Sequence, residues 1–226
     1  MDQNFVEIIR LLNNENILYW VSNGTLLGLI RDKKLIPWDH DIDIGIFRKD
    51  ISKTTLIDLM MSNDYEIKDV GYNDDSLSFT KGEGRQVDFN FYNFLPKSKL
   101  AYSHQGNIPR PEVTSILYTV SKLKKYKGKN VYIEKLVHYS LNFFQNILMK
   151  LLKKSGNYYL AVAYTIPVKL LIEFDHLEIS GIKIRVPSKY VSVLKYIYGP
   201  DWRIPNKDYL WYSDSPSSID SKSRFR

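Results

Sequence analysis

Residues 37–47, PWDHDIDIGIF, set aspartates at 39, 41 and 43 and isoleucines at 42, 44 and 46. Side chains of an extended strand alternate between its two faces, so this run is satisfied by a strand with an isoleucine face turned inward and a carboxylate face turned outward. The strand is read as Asp41–Phe47, led in by Pro37; if extended backbone begins early enough, Asp39 joins Asp41 and Asp43 on one face. Carboxylates stacked in this way repel one another and raise each other's pKa unless a cation lies among them. The chain has no cysteine, which rules out thiolate ligands and nucleophiles. Oxygen-only donors favour Mg2+, or Mn2+, over zinc. Taken alone, Asp-x-Asp is weak, and a solvated edge strand is its more frequent meaning.

Two neighbouring segments strengthen the metal reading. Ile17–Val21 is rich in β-branched and aromatic residues and reads as a buried strand. Ser22-Asn23-Gly24 breaks it, and Thr25–Arg31 opens a short helix. Backbone N–H groups at Gly24 and Thr25 would then face a phosphate. Arg31, near the helix end, would neutralise it, with Lys33 or Lys34 as helper. Further on, Arg85–Tyr92 alternates Val87, Phe89 and Phe91 with Asp88, Asn90 and Tyr92. A second strand beside the first would bring Asp88 to Asp41 and Asp43. Arg85, at its start, is within reach of a phosphate, and His40 sits between acids.

The remaining pattern is helical and extended by turns, which points to an α/β (α+β) core, a mixed sheet flanked by helices. Phe5, Ile8, Ile9 and Leu12 mark the buried face of an amphipathic helix, and this N-terminus does not read as a signal peptide. Lys53–Asn63 is a third helix, and 65–70 and 76–81 are strands. Leu95–Glu112 is polar, carries three prolines and reads as an irregular loop. An amphipathic helix over 131–154 follows, and Pro167 interrupts an apolar run over 159–174. Ser180-Gly181 joins a hairpin, and a helix starting at Pro187-Ser188 stops at Gly199-Pro200. The tail from Ser213 is expected to fray. The expectation is one domain over 1–226, with a loop and helical insertion at 96–173.

The net charge of +7 is concentrated: residues 120–154 hold nine lysines and a single acid, Glu134. So local a block reads either as an ordinary solvated face beside a core helix or as a surface for peripheral contact with an anionic membrane face, and both rank ahead of specific nucleic-acid binding. No run of about 18 apolar residues is present to span a bilayer. The expected location is the cytoplasm, with peripheral contact at the inner membrane face through 120–154.

GTLLGLIRDKKLIPWDHDIDI resembles the signature of the LicD family, which includes fukutin and fukutin-related protein. VPSKYVSVLKYIYGPDWRIP resembles that family's closing helix and Tyr-Gly segment. Together they cover roughly 1–95 and 174–212, and His40 stands where the family often has an acid. Gly-Thr, an Asp-x-Asp strand and a third Asp on a later strand also resemble the nucleotidyltransferase fold of the polymerase-β type. The resemblance implies transfer of a phospho-alcohol (phosphocholine or an alditol phosphate) from a CDP-linked donor. The acceptor would be a hydroxyl of a glycan or lipid-linked glycan, with release of CMP, in cell-surface polysaccharide biosynthesis. On that reading Asp41, Asp43 and Asp88 are catalytic and hold Mg2+, Asp88 being a ligand or the general base. Gly24, Thr25, Arg31, Asp39, His40 and Arg85 contact substrate. Trp202, Tyr209, Trp211 and Tyr212 could face a quaternary ammonium group, although a C-terminal arm packed on the core is the weightier reading. The alternatives are transfer of a nucleotide to a small molecule or protein, or a non-catalytic binding domain with a degenerate site.

Overall fold

The structure, a computed structural model, describes residues 2–69, 75–95, 99–109 and 159–220, together with Ser140, Phe143 and Ile147. Its chain divides into two compact units, 1–106 with 162–226 and 107–161. Most of the second unit, including the lysine-rich block and all but three residues of the helix expected over 131–154, lies outside the described residues. So do Pro96 and the tail beyond Asp220.

The first unit is built on a mixed, mostly antiparallel sheet with helices. Its strands are β1 (Tyr19–Val21), β2 (Asp41–Phe47), β3 (Glu66–Asp69), β4 (Ser76–Thr80), β5 (Gln86–Leu95), β6 (Leu100–Pro109), β7 (Tyr159–Pro167) and β10 (Ser218–Asp220). They run in the order β1-β2-β5-β6-β7-β10, and β3 joins through β4, which also pairs with β5. Among the described pairings only β2 with β5 is parallel. A parallel pair needs a crossover, and residues 48–85 supply it through helix α3 (Lys53–Met61), β3 and β4.

Helix α1 (Gln3–Asn14) buries Phe5, Ile8, Ile9 and Leu12, the face set by its apolar spacing, and Asp2 caps it by accepting from the Phe5 amide at 3.1 Å. A separate hairpin, β8 (Phe174–Ile179) and β9 (Ile182–Pro187), turns through Ser180 and Gly181, both at positive φ (53° and 73°) as a two-residue primed turn requires. It is fastened to the core by Asn13 Nδ2 on the Lys183 carbonyl (2.8 Å) and Arg185 Nη1 on the Ile17 carbonyl (3.1 Å). Helix α4 (Tyr190–Tyr198) ends at Gly199, φ 84°.

Trp20 explains why β2 carries a glycine among its isoleucines. Its indole lies across the strand so closely that a Cβ on Gly45 would stand 2.2 Å from the ring. Trp20 is fully buried against Phe47, Tyr92 and Phe174, at ring distances of 4.8, 5.3 and 5.7 Å.

Two segments differ from the sequence expectation. Leu100–Pro109, expected to be irregular, is strand β6, whose first residues, Leu100–Tyr102, pair antiparallel with Asn93–Leu95. The polar tail does not fray at Ser213. A short helix, α5 (Trp211–Asp214), leads into β10, which pairs antiparallel with Val162–Tyr164, and Ser215 and Ser217 are buried there. Among the described residues no helix is long and apolar enough to cross a membrane.

Candidate active site

The parallel pairing of β2 with β5 sets Asp43 level with Asp88 and Asp41 level with Gln86. All three aspartates line a cavity of about 780 Å³ within the first unit, and Asp39 lines it too although β2 begins only at Asp41. Helix α2 (Asn23–Arg31) supplies Asn23, Gly24 and Arg31 to the wall. The opposite wall comes from far along the chain: Tyr164 of β7, Tyr198 at the end of α4, and the loop and short helix that carry Asp201, Trp202, Lys207, Tyr209 and Trp211.

Asp43 is the most constrained of the acids. Its Oδ2 accepts the Gly24 amide at 3.1 Å, and its Oδ1 faces Asn23 Nδ2 (3.3 Å) and Asn90 Nδ2 (3.4 Å). Its own amide donates to Thr25 Oγ1 at 2.8 Å. Burial pushes its carboxyl well above the ordinary carboxylate range, and the charges of Asp41, Asp88 and Asp39 push it further. Asp41 is raised to about 7, first by burial and then by the charge of and a hydrogen bond with Asp39. Asp88 is raised by burial, against the hydrogen bonds it accepts from Gln86 (Nε2 at 2.6 Å) and Ser78. Burial, then the Asp43 charge, raises the Tyr164 and Tyr198 hydroxyls as well, so both stay neutral donors.

The cavity is strongly electronegative. Five acids line it, while its two bases are already engaged: Arg31 forks onto Asp32 through Nε and Nη2, each at 2.8 Å, and the Lys207 ammonium lies 4.9 Å above the Trp38 ring. An excess of acids of this kind suits a hard divalent cation, and the donors are all oxygen. A buried, unpartnered acceptor at the same place, Asn23 Oδ1, also fits. The expected three-carboxylate cluster is nevertheless not assembled in this arrangement. Among the described residues no three His, Asp or Glu side chains form a metal-holding group, and Asp88 is turned onto Gln86.

The other residues singled out from sequence divide sharply. Gly24, Arg31 and Asp39 line the cavity, and a Cβ at Gly24 would meet Asp39 Oδ2 at 2.2 Å. The Gly24 amide, expected at a phosphate, donates to the Asp43 carboxylate instead, while the Thr25 hydroxyl accepts the Asp43 backbone amide and Thr25 itself is buried. His40 is exposed and does not line the cavity. Arg85 is spent on structure, its Nη2 donating to the Ile36 carbonyl at 3.0 Å, and it reaches the site only through its field on Asp41. Trp202, Tyr209 and Trp211 line the cavity, and the weightier expectation of an arm packed on the core also holds: Trp202 is buried in the hydrophobic core and Trp211 packs against it. Asn23, Asn90, Trp38, Tyr164 and Tyr198 also line the cavity, although none was singled out from sequence as a site residue.

Comparison with known proteins bears on the acid-bearing half of this site. Residues 16–112 match the family described as LicD/FKTN/FKRP, nucleotidyltransferase domain. The match covers a little under half of the chain and makes this segment similar to that family. The LicD-type segment holds Asn23, Gly24, Asp39, Asp41, Asp43 and Asp88, whereas the aromatic wall from Tyr164 to Trp211 lies beyond it. The chain is similar to uncharacterized protein RP689 of Rickettsia prowazekii, 52% identical over 41 residues, covering 18% of this chain and 15% of that protein. It is similar to the human protein named ribitol 5-phosphate transferase FKRP, 39% identical over 44 residues (20% of this chain, 9% of that one). It is also similar to the Haemophilus influenzae protein named lipopolysaccharide cholinephosphotransferase LicD, 33% identical over 71 residues (31% of this chain, 26% of that one). The chain thus spans about a quarter or less of each of these three relatives.

Proposed function

We propose that the protein is a phosphotransferase of the LicD type, with a nucleotidyltransferase-like fold of the polymerase-β kind. It would move a phospho-alcohol, phosphocholine or an alditol phosphate, from a CDP-linked donor to a hydroxyl of a glycan or lipid-linked glycan, releasing CMP. The observation that carries this reading is the register of the parallel pair β2 and β5. It sets Asp43 beside Asp88 at the floor of an electronegative cavity, inside the segment that matches the family. Relatives named as transferases of ribitol 5-phosphate and of phosphocholine support the class of reaction.

Asp41, Asp43 and Asp88 would hold Mg2+ or Mn2+, which when bound supplies charge neutralisation at the donor's pyrophosphate. The chain's own part is positioning. Gly24 and the two asparagines fix Asp43 from three sides. Asp88 serves with them as a ligand or takes the acceptor's proton, a task suited to a carboxyl whose proton affinity burial has raised. The aromatic wall excludes water and offers π faces to the alcohol portion of the donor. The lysines of 120–154 would favour an acceptor held at an anionic surface.

Phosphorus NMR of a reaction with Mg2+, CDP-linked alcohols and glycan acceptors tests this. Formation of CMP and a glycan phosphodiester is expected. Release of pyrophosphate from a nucleoside triphosphate, with no CMP formed from CDP-alcohols, would instead establish nucleotide transfer.

A further inference from the structure

We infer that Asn23 is an oxygen ligand of the divalent cation, completing with its side-chain carbonyl a shell that the aspartates alone leave short. Three observations converge on this residue. Its backbone lies at φ 42°, in the left-handed region that non-glycine residues rarely occupy and that asparagine tolerates best. Strain of this kind collects at ligand sites, where the surrounding fold holds it in place. The residue is buried to 7% exposure and lines the acid cavity. Within that side chain Nδ2 donates to Asp43 Oδ1 at 3.3 Å, whereas Oδ1 has no hydrogen-bond partner.

The orientation of the amide follows from its neighbour. Nδ2 is the end that faces Asp43; with a cation bound Asp43 is an ionised carboxylate, which only accepts, so the NH2 end stays on Asp43 and the carbonyl end is left over. A buried carbonyl without a partner is rare in a folded protein. Small hard cations take about six oxygen ligands, amide carbonyls among them. Two or three carboxylates do not fill such a shell, and a neutral oxygen adds a ligand without adding to the repulsion among Asp39, Asp41, Asp43 and Asp88. Asn90 gives the contrast: it too donates to Asp43, at 3.4 Å, yet its own oxygen is not among the orphaned atoms. Asn90 is a positioning residue, and Asn23 is both a positioning residue and a ligand.

The inference rests on the metal reading above, and the experiment separates the two. Mn2+ binding to the whole protein, without donor, is measured by the loss of free-ion electron paramagnetic resonance signal. The variants are Asn23→Gly, which keeps the positive φ without strain, Asn90→Ala and Asp43→Asn, with melting temperatures in EDTA as the folding check. Asn23→Gly is expected to weaken Mn2+ binding by about 10–100-fold, with Asn90→Ala much closer to wild type. If Asn23→Gly binds as the wild type does, or falls only as far as Asn90→Ala, the ligand role is overturned and the aspartate site stands. If the wild type binds no more tightly than Asp43→Asn, the metal reading fails and the inference with it.

Discussion

Removing one acid from the cavity should stabilise the metal-free protein, and the gain should depend on pH. Asp41 is raised to about 7 by burial and by Asp39. In the unfolded chain it would titrate near the ordinary carboxylate value, so between about pH 4 and 7 the folded state holds a proton that the unfolded state has lost. Stability contributed by this group is therefore present at low pH and is lost as pH rises through that window. At pH 8 the ionised carboxylate costs the fold up to about 4 kcal/mol, less whatever its coupled neighbours absorb. Asp41→Asn removes the charge and keeps the shape. In EDTA at pH 8 it should raise the melting temperature by several degrees, since about 1 kcal/mol corresponds to roughly 2–4 °C in a chain of this size. At pH 5 the difference should shrink to roughly a third of its value at pH 8, because the unfolded chain has already lost the proton there. Melting curves by circular dichroism at the two pH values suffice, and Mn2+ added at pH 8 should stabilise the wild type more than the variant. A variant less stable than wild type at pH 8, or one offset equally at both pH values, would refute the account of the acid cluster.

Two further substitutions probe the scaffold. Gly45→Ala forces a methyl group into the Trp20 ring, which stands 2.2 Å from the Cβ position, and should cost about 1–3 kcal/mol or more in a urea titration. Thr25→Val removes the acceptor of the Asp43 amide while keeping the side-chain shape. It should destabilise the fold by about 1–3 kcal/mol and lower turnover more than donor affinity, measured as a fall in kcat with a smaller change in KM.

What could be read from the sequence follows from where the physical signal was local. Alternation of acids and isoleucines gave Asp41–Phe47, and the apolar spacing of Phe5, Ile8, Ile9 and Leu12 gave the buried face of α1. Ser180-Gly181 marked its turn because a primed turn needs two positive φ angles. Gly45 gave no such signal, since its cause is an indole reaching across from β1. Strands β6 and β10 carry polar sequence and exist because β5 and β7 offer edges to pair with, which no local pattern reveals. The site shows the same division. The acids announced themselves, but the donors that fix Asp43 come from Asn23, Gly24 and Asn90, residues that read as turn breakers or strand filler. Arg85 looked like a phosphate ligand because a cation at a strand end is uncommitted in sequence; in the fold the Ile36 carbonyl claims it. The aromatic wall lies more than a hundred residues from Asp43 and meets it only through the sheet and α4.

The central claim is that Asp43 and its neighbouring carboxylates drive transfer from a CDP-linked donor. Its most direct test is CMP release from a panel of CDP-alcohols with Mg2+ and glycan acceptors, wild type against Asp43→Asn at matched folding. The account predicts acceptor-dependent CMP release that falls by at least about 100-fold in the variant. Equal turnover by the two proteins would contradict it.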